Sequence, residues 1–464
     1  MNAPLAGSAI PVVHVIKGEV IHGADHEYGP PHARFTTPAL DLNSLVWPRH
    51  EPGPAFDTAS AEIVDIMVEL GRWIDADSDG LMAEALEHSV AACPLPRGVI
   101  ERSYRNLSPI FDRQSMEFQI ANELGGADVL DGWREVPNAP SGRSIHIRAF
   151  PPRMIHILAG NSPGVSALTI VRGALTKGVH LMKIPSNDLF TATALLRGLA
   201  AVAPGHALTR SFIAVYWRGG DEGVESRLFR PQFFDKLSAW GGEAALRSAK
   251  AYIGPGFELI AFDPKTSISM IGREAFASDE CLAVVADLAA TDVTLFNQQA
   301  CAASRVQFIE GSAEQVDRYC ELLQERLGVE RLFASACGAP PPQGMRDEID
   351  ALRDLEPEYR VWGKFDGRGV VIRSDEPVDF HPDERVVNVV RVADLRDAVR
   401  HTSVATQTIG VYPPERKAQL RDAVASMGMQ RIVALGDAIG VEAGLPHDGF
   451  YPLRRFVRWL NDEG

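Results

Sequence analysis

From Ser141 onward, short apolar runs alternate with segments of helical period, and this alternation limits the fold more than any other feature of the chain. The stretch opens on SIHIRAF and MIHIL, two β-like runs separated by Pro151-Pro152. SALTIVRGALTKG then reads as helix, VHLMKIPS as strand, LFTATALLRGLAAVA as helix and SFIAVYWRGG as strand. DEGVESRLFR follows as helix, FFDKLSAWGG as strand and turn, and EAALRSAKAYI as helix. Strands joined by helices of this length need crossover connections, the arrangement of a parallel α/β sheet. A second α/β region begins near Thr266, with strand SISMIG, a helix through CLAVVADLAATDV, strand VQFIEG and helix AEQVDRYCELLQERL. A chain of 464 residues is long enough to hold both as separate domains.

The part before this is different in kind. The first fifty or so residues are rich in Pro, Gly and His and read as an extended, turn-rich arm. Its histidines His14, His22, His26 and His32 lack a regular ligand spacing, so no metal site is expected there. From Ser60 to about Leu130 apolar residues recur at helical intervals, as in AEIVDIMVELGRWID. The formal net charge of −15 argues against a nucleic-acid surface, which needs clustered Lys and Arg. The five cysteines form no CxxC pair, which argues against a disulfide framework or structural zinc and for a reducing compartment. The N-terminus lacks the pattern of a signal peptide, and no apolar run approaches membrane-spanning length. A cytoplasmic protein without a membrane span is therefore expected.

Four segments carry residues suited to chemistry. Cys301 lies in TLFNQQACAASRVQFIEG, between a helix and a strand. A lone Cys is more often packing than nucleophile, but Ala302, Ala303 and Ser304 leave room beside this one for a substrate carbonyl. In HILAGNSPGVSALTIV a strand ends, a Gly-Asn-Ser-Pro-Gly turn follows and a helix starts, so Asn161 is either a turn residue or an amide donor to a developing oxyanion. The turn is not GxGxxG, and a standard Rossmann phosphate loop is not indicated. Lys183 ends the apolar strand VHLMKIPS, where a charge is costly unless it reaches solvent or a polar ligand, and with Ser186 it suits a ribose or phosphate. Gly241 and Gly242, in LSAWGGEAAL, let a cofactor approach the backbone closely.

The order of these segments is more informative than any one of them. GNSPG, KIPSND, AWGGEAAL, FDPKTSISMIG, DVTLFNQQACAASR, TQTIGVYPPER, MGMQRI and HDGFYPLRRFVRW together resemble the aldehyde dehydrogenase superfamily, and within it the LuxC-type acyl-CoA reductase family. The likeness covers roughly Ser141 to the C-terminus. It implies an aldehyde dehydrogenase-like α/β fold with two parallel-sheet domains and a small bridging or oligomerisation β segment. The expected boundaries are 1–140 for the arm and a helical part of the cofactor domain and 141–158 for bridging strands. They continue with 159–265 for nicotinamide cofactor binding, 266–440 for the catalytic domain and 441–464 for a packing or oligomerisation segment.

The resemblance also implies roles. Cys301 would be the nucleophile, and Asn161 the oxyanion donor together with the Cys301 backbone N–H. Lys183 and Ser186 would hold the cofactor ribose, with Gly241 and Gly242 against its phosphates or nicotinamide end. Aldehyde dehydrogenases keep a general-base glutamate in a Glu-Leu-Gly-Gly stretch; here GFELIAFDPKTS has Glu258 without the double glycine. A reductase working from acyl-CoA needs no activated water, so Glu258 stays outside the expected catalytic set. The expected activity is reduction of an acyl-CoA to aldehyde and free CoA through a thioacyl-cysteine, in a homo-oligomer (dimer or tetramer). Arg218, ending SFIAVYWRGG, suits a 2′-phosphate and favours NADPH, with NADH possible. The alternatives are an aldehyde dehydrogenase making the acid, a silent binding subunit, and a thioesterase or acyltransferase using Cys301 without redox.

Overall fold

The computed structural model describes residues 9–30, 33–138, 140, 142–440 and 442–463; His32 of the arm lies outside them. The chain divides into two units, one of 1–94, 100–263 and 442–464, the other of 95–99 and 264–441.

The first unit is built on a seven-stranded sheet. Its strands are β1 (His14–Ile16), β2 (Glu19–Ile21), β3 (Arg153–Ile157), β4 (Val179–Lys183), β5 (Phe212–Val215), β6 (Lys236–Trp240) and β7 (Glu258–Phe262). Their order is β7-β6-β3-β4-β5-β1-β2. The five strands from β7 to β5 are parallel, while β1 and β2 join as an antiparallel edge. The central strands read as unbroken apolar runs because helices cover both faces of a parallel sheet. Among those helices, α1 (Ser60–Ala76) and α3 (Thr191–Val202) pack together, and α2 (Pro163–Leu175) is buried nearly all round.

Two sequence expectations need amendment here. The arm is not simply extended: β1 and β2 finish the sheet, and His14 is buried there, its Nε2 accepting from the Tyr216 N–H at 3.2 Å. The two runs around Pro151-Pro152 also part company. Arg153–Ile157 is the central strand β3, whereas Arg143–Phe150 pairs with Arg134–Asn138 and Arg458–Glu463 in a separate three-stranded antiparallel sheet.

The second unit has its own seven-stranded sheet. Its strands are β8 (Thr266–Ile271), β9 (Ser304–Glu310), β10 (Arg360–Trp362), β11 (Val370–Ser374), β12 (Val386–Val392), β13 (Thr406–Tyr412) and β14 (Arg431–Ala434). The order is β10-β11-β12-β9-β8-β13-β14, parallel except for β10. Helix α6 (Asp279–Val293) starts at Ser278, whose Oγ accepts from the Cys281 N–H. Its buried face, Leu282, Val285, Ala286, Ala289, Ala290 and Val293, follows helical spacing and meets α7 (Ala313–Leu327) in one core. Among the described residues no helix is long and apolar enough to cross a membrane.

Three buried imidazoles in the first unit make its stability depend on pH. His156 on β3 and His180 on β4 share a hydrogen bond, Nε2 to Nδ1 at 3.0 Å, and Phe212 stacks on His180. Burial lowers the pKa of His14 to about 4, that of His180 to about 3, and that of His156 well below its usual value. In the unfolded chain each titrates near 6.5. Their contribution is therefore complete above pH 6.5 and is lost as the pH falls below it, at about 1.4 kcal/mol per pH unit per histidine. The melting temperature should drop between pH 7 and pH 5, and His180→Gln should flatten that slope; an unchanged slope in the variant would show that His180 is charged in the fold.

Candidate active site

The chain order of the first sheet creates a particular edge. It runs from β3 to β4 and β5, then returns to the other side of β3 for β6 and β7. The direction reverses between β3 and β6, and a crevice outside the carboxyl ends at such a switch point is where open α/β sheets bind ligands. Asn161 sits in the turn after β3, half-buried, just before Ser162, whose Oγ caps α2 by accepting from the Gly164 N–H. Lys183 is the last residue of β4, and Ser186 follows three places on. Arg218 lies exposed beyond β5, and Gly241 and Gly242 beyond β6. The structure thus brings all six sequence-predicted residues of this unit to one edge of four neighbouring strands.

The local chemistry explains how each turn is held. A Cβ at Gly160 would fall 1.9 Å from Asn187 Oδ1, so glycine alone lets the amide of Asn187 lie against the Asn161 turn. Asp188 is fully buried and accepts from the Thr191 N–H and Oγ, at 3.3 and 2.5 Å, and from Ser166 Oγ. Glu225, in helix α4 (Glu222–Leu228), accepts from Trp217 Nε1 at 3.2 Å and from the Gly220 N–H at 3.0 Å. That bond fixes the Arg218 turn, where Gly220 takes φ +80°. Asp188 and Glu225 are therefore both engaged inside the protein.

A dinucleotide fits these residues. Burial pulls the Lys183 ammonium below its usual pKa despite the partial offset from Glu225, so an anionic or polyol oxygen there relieves a real desolvation cost. Gly242 is the N-cap of α5 (Glu243–Lys250) with no side-chain cap, and a Cβ there would meet nothing within 4 Å. Its first-turn N–H groups are thus open to a phosphate.

Glu258 lies elsewhere in this unit. It is the first residue of β7, at the amino end of the strand, and pairs with Arg455 at 2.6 Å and Lys236 at 3.1 Å.

In the second unit Cys301 is exposed, whereas Cys281 is half-buried and Cys320 is buried, which raises its thiol pKa well above normal; Cys93, in the first unit, is half-buried. Cys337 is also exposed, but its S–H donates to the Asp366 carbonyl at 3.0 Å. The backbone ahead of Cys301 is unusual: Phe296, Asn297 and Gln298 all have left-handed φ, 48°, 53° and 73°. Non-glycine residues in that region cost about 1–2 kcal/mol each, so surrounding bonds must hold the turn. Ser267 Oγ, on β8, donates to the Cys301 carbonyl at 2.7 Å and accepts from the Thr408 N–H. Neither the left-handed turn nor the partners of Asn297 and Gln298 were legible in the sequence, because those partners lie far along the chain.

The match to known proteins follows this geometry. Residues 61–459 fit the family model described as Acyl-CoA reductase (LuxC). The chain belongs to the LuxC acyl-CoA reductase family. It is therefore an oxidoreductase of the acyl-thioester class. Among its relatives, the long-chain acyl-protein thioester reductase of Vibrio harveyi is 29% identical over 74% of this chain and 70% of its own length. The protein of that name from Photorhabdus laumondii is 32% identical over 74% and 69%. Solved structures show the aldehyde dehydrogenase-like fold. An NAD-dependent aldehyde dehydrogenase from Sinorhizobium meliloti superposes with TM-score 0.73 at 13% identity, covering 100% of this chain and 96% of that one. An NAD-dependent benzaldehyde dehydrogenase from Corynebacterium glutamicum gives 0.71 at 14%, covering 97% and 98%.

The Gly160–Asn187 contact yields a direct test. Gly160→Ala should cost about 1–3 kcal/mol through overpacking. Asn187→Ala should cost much less, and the double variant should recover most of the loss. Additive losses in a denaturation cycle would show that the two residues do not touch.

Proposed function

We propose that this enzyme reduces a fatty acyl-CoA to the aldehyde and free CoA, using NADPH and a thioacyl intermediate on Cys301. The observation that carries the reading is an exposed Cys301 on a tethered turn, in a chain of the acyl-CoA reductase family. The Cys301 thiolate attacks the acyl carbonyl, the Asn161 amide stabilises the tetrahedral oxyanion, and CoA leaves as its thiol. A reduced nicotinamide supplies the hydride when bound. With one proton from solvent, the resulting Cys301 thiohemiacetal collapses to aldehyde and regenerates the thiol. Lys183 and Ser186 would hold the ribose, and Gly241 and Gly242 would lie against the phosphates or the nicotinamide end. The first unit serves the cofactor and the second the acyl group. The Arg143–Phe150 sheet acts as the bridge in a homo-oligomer.

The ion pairs of Glu258 favour this reading over the hydrolytic one, since a carboxylate held by Arg455 and Lys236 at the amino end of its strand is poorly suited to activate water. Acyl-CoA with NADPH should give aldehyde and CoA in equal amounts with little free acid, and Glu258→Gln should change this by no more than a fewfold. Cys301→Ala should abolish turnover, and Asn161→Ala should slow it by about a hundred- to a thousandfold. Mass spectrometry without cofactor should find the acyl group on a Cys301 peptide. Acylation of Cys281 or Cys337 instead, or rapid CoA-independent oxidation of aldehyde to acid that Glu258→Gln stops, would overturn the proposal. An acylated carrier protein tested beside acyl-CoA decides which thioester is the better donor, a question raised by the names of the relatives.

The engagement of Asp188 and Glu225 in internal bonds, with Arg218 exposed on its turn, supports NADPH over NADH. Arg218→Ala should raise the KM for NADPH more than that for NADH. Equal changes would remove Arg218 from the cofactor site.

A further inference from the structure

The left-handed turn ahead of Cys301 faces a second one. Glu384 and Arg385, which lead into β12, have φ 52° and 63°. Gln298, fully buried, joins the two. Its Oε1 accepts from the Arg385 N–H at 2.7 Å, and its Nε2 donates to the Val386 carbonyl at 2.9 Å and to the Ser304 carbonyl at 3.4 Å. The side-chain amide thus imitates a strand neighbour at the start of β12. Its backbone carbonyl accepts from Arg305 Nη2 at 2.7 Å, while Arg305 Nη1 holds the Pro382 carbonyl and Asp383.

Arg385 completes the arrangement from the other side. Its buried guanidinium donates through Nη2 to Asn297 Oδ1 at 2.5 Å and to the Ser335 carbonyl, and through Nη1 to the Leu327 carbonyl at 3.3 Å. Asn297 in turn accepts from the Ser335 N–H at 3.1 Å and donates to Ser335 Oγ at 2.9 Å. Both left-handed residues next to the nucleophile segment are therefore held by side chains from distant parts of the unit. Beyond Gln298, the Gln299 and Ala300 N–H groups donate to the Phe296 and Leu295 carbonyls at 3.0 and 3.4 Å, and the Cys301 carbonyl is bonded to Ser267. Only Gln299 and Ala300 lie between the two anchors, so the backbone path to Cys301 has few solutions while both hold.

We propose that Gln298 and Arg385 are positioning residues, which set the attack geometry of Cys301 by clamping the left-handed turn before it onto the start of β12. The proposal rests on the reading of Cys301 as the acylated nucleophile. It assigns neither residue a contact with substrate. Displacement of a reacting atom by about 1 Å is enough to cost on the order of a hundredfold in rate, and the clamp is what prevents it.

The test uses Gln298→Met, which keeps the length and loses all three side-chain hydrogen bonds. Acylation of Cys301 by acyl-CoA without cofactor, and alkylation by iodoacetamide, should each slow by about ten- to a hundredfold, with the Kd for NADPH within about twofold of wild type. Gln298→Glu keeps the acceptor for the Arg385 N–H but offers a donor to the Val386 carbonyl only when protonated. Its acylation rate relative to wild type should therefore rise as the pH is lowered. Should Gln298→Met fail to fold, Asn297→Gly decides. Glycine accepts the left-handed backbone without strain, yet it removes the bonds to Arg385 and Ser335, and slower acylation with unchanged cofactor binding is again expected. A folded Gln298→Met or Asn297→Gly that acylates within twofold of wild type overturns the clamp. Cys301→Ala run in parallel separates the two readings. If that variant is still acylated, the nucleophile assignment fails; if it is silent while Gln298→Met is normal, only the clamp fails.

Discussion

A strand buried on both faces must satisfy its backbone N–H and C=O groups with neighbouring strands, and in this protein that requirement is met in parallel. Parallel pairing sends every crossover back over the sheet, so the carboxyl ends of β3, β4, β5 and β6 share one edge. Asn161, Lys183, Ser186, Arg218, Gly241 and Gly242 are spread over more than eighty residues of sequence, yet pairing alone gathers them there. The strand order reverses between β3 and β6, the kind of switch point at which open α/β sheets bind ligands. Conversely, the ion pairs of Glu258 follow from its place at the amino end of β7. Its distance from this edge is a property of the sheet and not of its immediate neighbours in sequence.

Within that frame, polar groups are divided between those the fold consumes and those it leaves available. Asp188 and Glu225 lie close to the edge, but each is used to hold a turn, and Asn187 packs against Gly160. Lys183 is different: burial depresses its pKa, and among the described residues no carboxylate forms an ion pair with it. A cation kept at a desolvation cost, on the same sheet edge as an uncapped helix start at Gly242, is the combination in which binding an anion returns what folding gave up. The histidine pair on β3 and β4 is the opposite case, two buried rings that share one hydrogen bond and serve the interior of the sheet.

The second unit solves a separate problem. The thiol proposed to react is exposed, and exposure normally brings mobility. Here the exposed residue follows three left-handed residues whose strain is offset by Gln298, Arg385, Arg305 and Ser335, acting through buried and part-buried hydrogen bonds. Unmade bonds in so dry a place are costly, so the turn has one arrangement that satisfies them all. Rigidity at Cys301 is thus borrowed from β8 and β12 and not generated by the loop itself.

Much of this was legible in the residues. Apolar runs of strand length, helical periods between them and Gly-rich turns at strand ends determined a parallel α/β chain and located Cys301, Asn161, Lys183 and the Gly241-Gly242 turn, because such signals are local and depend only on neighbouring side chains. The order of those segments determined the family. Tertiary structure decided the rest. That Arg153–Ile157 is a central sheet strand while Arg143–Phe150 belongs to a different sheet depends on which partners are available, and two adjoining β runs look alike in sequence. That His14 is buried and not part of a loose arm depends on the open edge of β5. That Gln298 reads Arg385, 87 residues away, depends on chain closure over the whole second unit. Hydrogen bonds between residues so distant leave no periodicity or spacing in the sequence, and only the folded chain brings their donors and acceptors together.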